Sequence, residues 1–188
     1  MAEASPGGMY PIIRLTKEFL KARRMPPIGV FDTHVSNHIC WPWDIDMFLE
    51  LNNGRTLTVF DLGRLPMAHR VGLTRVLRQK RWGLTMAGVS VRWRVRVRPF
   101  QKFEMRTRAI GWDDRFVYLE QSMWLPDGRC ANHALYRSAV TDRDGIVAPT
   151  QIMKAMGLTD PSPTLPDWVR AWAAADATRP WPPMTATE

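Results

Sequence analysis

Residues 86–98, MAGVSVRWRVRVR, alternate without a break. Val89, Val91, Trp93, Val95 and Val97 fall on one side of an extended chain and Arg92, Arg94, Arg96 and Arg98 on the other, because successive strand side chains point to opposite faces. Three more strand signals follow. Residues 101–111 set Phe103, Met105, Thr107 and Ala109 against Lys102, Glu104, Arg106 and Arg108. Residues 115–125 and 129–140 are strands joined at an Asp127-Gly128 hairpin turn, and the run ends at the turn Asp142–Gly145. Consecutive strands with one apolar face predict an antiparallel sheet that must bury that face on another element. Trp93, Phe103 and Met105 are expected on the buried face, as core or as the wall of an apolar pocket.

The segment before the strands supplies the cover. Asn52 or Asn53 is a candidate N-cap, and GRTLTVFDLGRLPMAHRVGL reads as one long helix, with Pro66 as a kink or restart and Gly72 at its end. Residues 29–41 form an earlier strand, and residues 10–24 a short amphipathic helix with a basic side, ended by Met25-Pro26-Pro27. Short helices are expected near 150–157 and 166–175, then a loose proline-containing tail; residues 1–8 read as disordered. The expected organisation is an N-terminal extension over 1–24, one α+β domain over 25–148 with its sheet curled round the long helix, and a C-terminal segment over 149–188.

The net charge of +8 favours an anionic partner: nucleic acid, a membrane surface or a phosphorylated small molecule. The arginine row 92–98 is read as the solvated outer face of a sheet, offset by acids such as Glu104 and Glu120, so no nucleic-acid partner is expected. No run of about 18 apolar residues occurs, so no stable membrane insertion is expected. The N-terminus has no basic segment leading into an apolar core, and Cys40 and Cys130 make no disulfide framework; the expected setting is cytoplasmic. His34 and His38 stand roughly 13 Å apart along a strand, too far to share a metal, and Asp32, His34 and Ser36 are too spread for a triad. Neither a Walker phosphate loop nor a GxGxxG fingerprint is present, so neither a metal nor a bound cofactor is expected.

The chemistry is expected in residues 40–64, CWPWDIDMFLELNNGRTLTVFDLGR. Asp44, Asp46 and Glu50 stand among Trp41, Trp43, Met47, Phe48, Leu49 and Leu51, just before the helix. A helix macrodipole accounts for one carboxylate near an N-terminus. Three among large apolar residues suggest more: a carboxylate in an apolar wall can serve as base or nucleophile, and free N–H groups at a helix start can polarise a carbonyl oxygen. Those are parts for transferring an acyl group to water.

The same stretch resembles the signature of hot-dog-fold acyl-CoA thioesterases, the 4-hydroxybenzoyl-CoA thioesterase-like group. Its motif runs approximately D-x-D-x-x-x-H-x-N-N-x-x-Y ahead of a central helix, and Asp44, Asp46, Asn52 and Asn53 match it. NNGRTLTVFDLGR is similar to the form seen in a bacterial branch, and the likeness extends over roughly 25–145. It implies a hot-dog fold, with a sheet of about five strands around a central helix, assembled as a homodimer or dimer of dimers with acyl-CoA between subunits. Coenzyme A would be part of the substrate, not a cofactor. The resemblance puts Asp46 at the position of the catalytic carboxylate, with Glu50 as a second acid or the working base. Asn52, Asn53 and Gly54 would hold the thioester oxygen. The chain departs from the motif where Glu50 replaces the histidine, Phe48 an asparagine of many relatives, and Thr56 the helix tyrosine. The alternative is a hot-dog protein that binds acyl-CoA or lipid without turning it over.

Overall fold

A computed structural model describes residues 10–183; the expectation for residues 1–8 falls outside them. The elements run α1 (Ile12–Arg24), β1 (His34–Ile39), α2 (Asn53–Arg70), α3 (Leu73–Lys80), β2 (Gly83–Trp93), β3 (Lys102–Trp112), β4 (Val117–Trp124), β5 (Cys130–Asp142), β6 (Gly145–Val147), α4 (Pro149–Ala155) and α5 (Asp167–Ala177). The strands form one antiparallel sheet in the order β1-β3-β4-β5-β2, with the short β6 paired to β5. The sheet curls round α2, as the strand run and the single long helix predicted.

Burial explains the curl. Val59, Phe60 and Leu62 of α2 meet Phe103, Met105, Met123, Ala134 and Tyr136 of the sheet in one core. The helix approaches the strands most closely at Gly63, where a Cβ would lie 2.5 Å from Met105 Sδ and 2.8 Å from Thr107 Oγ1. Glycine is therefore required by the packing there, not by its backbone angles. Pro66 is absorbed within α2, and Gly72, at φ 84°, turns the chain into α3. The α3 helix was not foreseen: its basic run TRVLRQK hides an apolar stripe, with Val76 buried and Leu73 and Leu77 packed on Val140, Val147 and Ile152. The outer face of the sheet is part-covered as well. Val169 of α5 is buried with Tyr118 and Leu135, and Trp172 packs beside them.

The alternation of 86–98 is only partly strand. The β2 ladder ends at Trp93, and the amides of Arg94 and Val95 both turn to the Ala131 carbonyl. Beyond it the chain swings over the start of α2, where the Leu51 amide donates to Val97 O at 2.8 Å. Val97 is buried by that excursion, whereas Trp93, opposite Asn132 on the inner side of the ladder, is 45% exposed at the strand's end. Periodicity reports which side chains turn inward, and here a loop packed on the helix start maintains it as well as a strand would.

Candidate active site at the start of the central helix

Residues 45–51 form a small hairpin finger. Ile45 and Leu51 bridge antiparallel, the Asp46 amide donates to Glu50 O at 2.9 Å, and the Leu49 amide to Asp46 O at 3.1 Å. Leu49 takes a left-handed φ of 57° at the tip, and Met47, Phe48 and Leu49 are all exposed. The apolar residues that surround the acids in sequence therefore point largely to solvent and do not wall them in.

The three acids have three different environments. Asp44 has no exposed surface and takes Arg14 Nη1 at 2.6 Å, Arg55 Nε at 2.7 Å and the Trp41 amide at 3.1 Å. It clamps α1 and α2 to the base of the finger. Asp46 is half-buried, and its Oδ1 accepts the Phe48 amide at 2.9 Å, an Asx turn that shapes the tip. Glu50 points the other way, with Oε2 2.8 Å from Arg96 Nε.

Asn52 is the N-cap of α2: its Oδ1 accepts the Arg55 amide at 3.0 Å, and its carbonyl takes both the Thr56 amide and the Thr56 hydroxyl. The N–H groups of Asn53 and Gly54 stand in the first turn, where a helix supplies them no partner. Thr56, where the family has tyrosine, is wholly buried.

Glu50 and Asn53 line one pocket of about 200 Å³, together with Trp93, Arg94, Arg96 and Asn132. Asp46, Asn52 and Gly54 are not among the residues lining it. The pocket thus joins one candidate carboxylate to one candidate oxygen-binding residue. Sequence reasoning missed Asn132, a buried side chain of β5 that passes Nδ2 to Met123 Sδ at 3.5 Å. The available signal was an amide at an inward strand position among alanines. Arg94 and Arg96 were read as outer-face charge, yet they border this pocket because the chain leaves the sheet at Trp93.

The acids assigned to offset the arginine row are engaged elsewhere. Glu104 pairs with Arg106 at 2.7 Å, and Glu120 with Arg108 at 2.7 Å and His133 at 2.8 Å. The hydrogen bond from His133, aided by Arg108, holds the Glu120 carboxyl down at about 2. His34 and His38 share the buried side of β1 but serve separate contacts: Arg70 Nη1 lies 2.9 Å from His34 Nδ1, and Ser36 Oγ 2.8 Å from His38 Nε2. Cys40 and Cys130 are free thiols. Among the described residues no helix is long and apolar enough to cross a membrane.

A curled antiparallel sheet round one helix is the arrangement the motif implied. The family model for the thioesterase-like superfamily matches residues 40–173. The chain belongs to the thioesterase-like superfamily. Among curated relatives of this superfamily member, Protein THEM6 of Drosophila melanogaster is 29% identical over 148 residues, 78% of this chain and 75% of that protein. Protein THEM6 of Xenopus laevis is 35% identical over 114 residues, 60% of this chain and about half (55%) of that protein. Similar solved structures include the probable thioesterase YbaW of Escherichia coli, with TM-score 0.60 and 13% identity over 65% of this chain and 98% of that one. A DHNA-CoA thioesterase from Staphylococcus aureus gives TM-score 0.57 and 12% identity over 77% and 91% of the two chains. A hypothetical protein from the same bacterium, solved in complex with CoA, gives 0.60 and 11% over 76% and 94%. These likenesses establish the hot-dog fold.

Proposed function

We propose that this chain is a cytoplasmic acyl-CoA thioesterase, in which a carboxylate of the finger assists the attack of water on the thioester. The observation that carries this reading is the shared pocket of Glu50 and Asn53 at the start of α2. The thioester oxygen would sit against the N–H groups of Asn53 and Gly54, with Asn52 fixing the turn that presents them. Water adds to the carbonyl carbon as the carboxylate takes its proton. Collapse of the adduct breaks the carbon–sulfur bond, and the proton passes to the departing thiolate. Asp46 and Glu50 are the two candidate bases. Arg94 and Arg96 on the rim are suited to the phosphates of coenzyme A.

The reading includes a homodimer or a dimer of dimers. It is supported by β2, an edge strand whose Val89 and Trp93 are exposed. An edge of that kind presents backbone donors and acceptors to a second copy. Similar folds whose names record thioesterase activity, and one solved with CoA, support the substrate class.

The test is thiol release from a panel of acyl-CoAs of differing length and aromaticity, with sedimentation to give the oligomeric state. Turnover that falls with loss of the finger carboxylates supports the enzyme. Binding of acyl-CoA by calorimetry with no turnover on any member would replace it with the non-catalytic carrier.

A further inference from the structure

The α1 helix is apolar on two sides. On one, Leu15 packs on the core, Phe19 meets His69 edge-on at 6.1 Å, and Glu18 and Ala22 are buried. That side fixes the helix to the domain. The other side faces solvent, and along its middle stand Ile13, 87% exposed, and Leu20, 51% exposed, about two turns apart on one line. Arg23 flanks that line on one side, and Lys17 and Arg24 flank it on the other. This face carries no acid: Glu18, the one acid of the helix, is buried and takes Lys21 at 3.0 Å. Among the described residues no carboxylate lies within ion-pair distance of Lys17, Arg23 or Arg24.

A cleft of about 350 Å³ lies beside this face, between α1 and β1, at the sheet edge opposite β2. Lys17 and Lys102 line it with Arg14, Asn37 and Trp41. Arg14 is committed to Asp44, whereas Lys102, like Lys17, meets no carboxylate among the described residues. Glu18 on the same wall is answered by Lys21. Positive potential gathers here: His38, also on the wall, is held to about 3 chiefly by burial, with help from Arg14, Lys21 and Lys17. Trp41 stacks on Trp43 at 5.2 Å and meets Phe100 edge-on at 6.3 Å, and both of those partners are exposed.

An apolar line flanked by cations, beside a cationic cleft with indoles, narrows the choice of occupant. A nucleic acid would answer the charges but leave Ile13 and Leu20 in water. A second copy meeting this face across a two-fold axis would bring Lys17, Arg23 and Arg24 onto their own counterparts with no acid to separate them. An anionic membrane meets both features, since aliphatic side chains enter the boundary below the headgroups, cations meet the phosphates, and indoles favour that boundary. The helix has 13 residues, about 20 Å of length against about 30 Å of hydrocarbon, so it can lie on a bilayer but not cross it.

We propose that the exposed face of α1 docks the protein on an anionic lipid surface, with Ile13 and Leu20 entering the headgroup boundary, and Lys17, Arg23, Arg24 and Lys102 meeting lipid phosphates. The surface lies at the sheet edge opposite β2, the edge assigned above to self-association, and it does not depend on thioester chemistry.

The experiment is co-sedimentation of the full chain with vesicles of phosphatidylcholine alone and of phosphatidylcholine with about 30% phosphatidylglycerol, at low and at physiological salt. The expected result is binding to the anionic vesicles at least about tenfold tighter than to phosphatidylcholine, and weaker as salt rises. Ile13→Gln with Leu20→Gln, and separately Lys17→Gln with Arg24→Gln, should each weaken it at least about tenfold, while melting and thiol release stay as in the wild type. No binding to the anionic vesicles, equal binding to both kinds, or full binding in both double variants would overturn the proposal. So would a change of oligomeric state in Ile13→Gln with Leu20→Gln, which would make the face a contact between copies. Retention on an oligonucleotide that survives Ile13→Gln with Leu20→Gln, with vesicle binding absent, would give the face to nucleic acid instead. If a double variant melts early, Ile13→Gln alone, at the most exposed position of the helix, carries the same test.

Discussion

The Arg14 guanidinium lies 2.6 Å from the Asp44 carboxylate, which has no exposed surface. This contact ties α1 to the base of the finger across 30 residues of sequence. The second arginine, Arg55, closes the same carboxylate from α2 at 2.7 Å. Asp44 is thus the joint of three segments and the least exposed of the three acids.

Removing that joint should be costly. Asp44→Ala leaves two largely buried guanidinium groups without their shared partner, and should destabilise the fold by about 3–5 kcal/mol. Denaturant unfolding measures it. A loss under about 1 kcal/mol would show that water replaces the carboxylate freely.

The two remaining acids can be separated by conservative changes. Asp46→Asn keeps an oxygen for the Phe48 amide, so the finger should persist while the charge is lost. If Asp46 is the base, turnover should fall by at least about 10² with little change in melting. If Glu50 is the base, the same fall belongs to Glu50→Gln, which also weakens the contact with Arg96. Thiol release from both variants decides between them, and full activity in both would remove the finger from the mechanism.

Stability should fall in mild acid through two histidines. Burial, reinforced by Arg70, lowers His34 from 6.5 to about 4, and burial, reinforced first by Arg14, lowers His38 to about 3. Both are neutral bases when folded and bind protons more readily unfolded. Their contribution is full above pH 6.5 and is lost as pH falls, by roughly 1.4 kcal/mol per pH unit for each group. Glu120, ordinarily near 4.5 and held at about 2, adds its own loss only below pH 4.5. Urea unfolding at pH 7.5 and pH 5 should therefore show the histidine loss by itself. His38→Gln should remove about half of the difference, since His34 keeps its share; an unchanged slope would argue against a neutral buried His38.

Gly63 should not tolerate even one methyl group. A Cβ there would press on Met105 Sδ, Thr107 Oγ1 and, at 3.3 Å, Gln121 Nε2. Gly63→Ala is expected to cost about 1–3 kcal/mol by overpacking, despite the helix propensity it gains. Thermal melting reads the sign directly; a stabilised variant would mean that the sheet moves away without penalty.

The sequence by itself determined the order of the main strands and the antiparallel sheet on one long helix, but not the short α3. These are local matters: alternation of side chains, an N-capping asparagine at position 52 or 53, a glycine turn at position 72. The motif carried the family because Asp44, Asp46, Asn52 and Asn53 are fixed by spacing alone. Tertiary structure decided what each residue does there. Asp44, Asp46 and Glu50 are near-equivalent in sequence, yet one is a buried clamp, one shapes a turn and one faces a pocket. That sorting depends on partners 30 and 46 residues away, Arg14 and Arg96, which no local pattern announces. Trp93 keeps its expected side but not its expected burial for the same reason: alternation fixes the side on which a residue falls, but where a strand leaves its sheet is set by distant hydrogen bonds to Ala131 and Leu51.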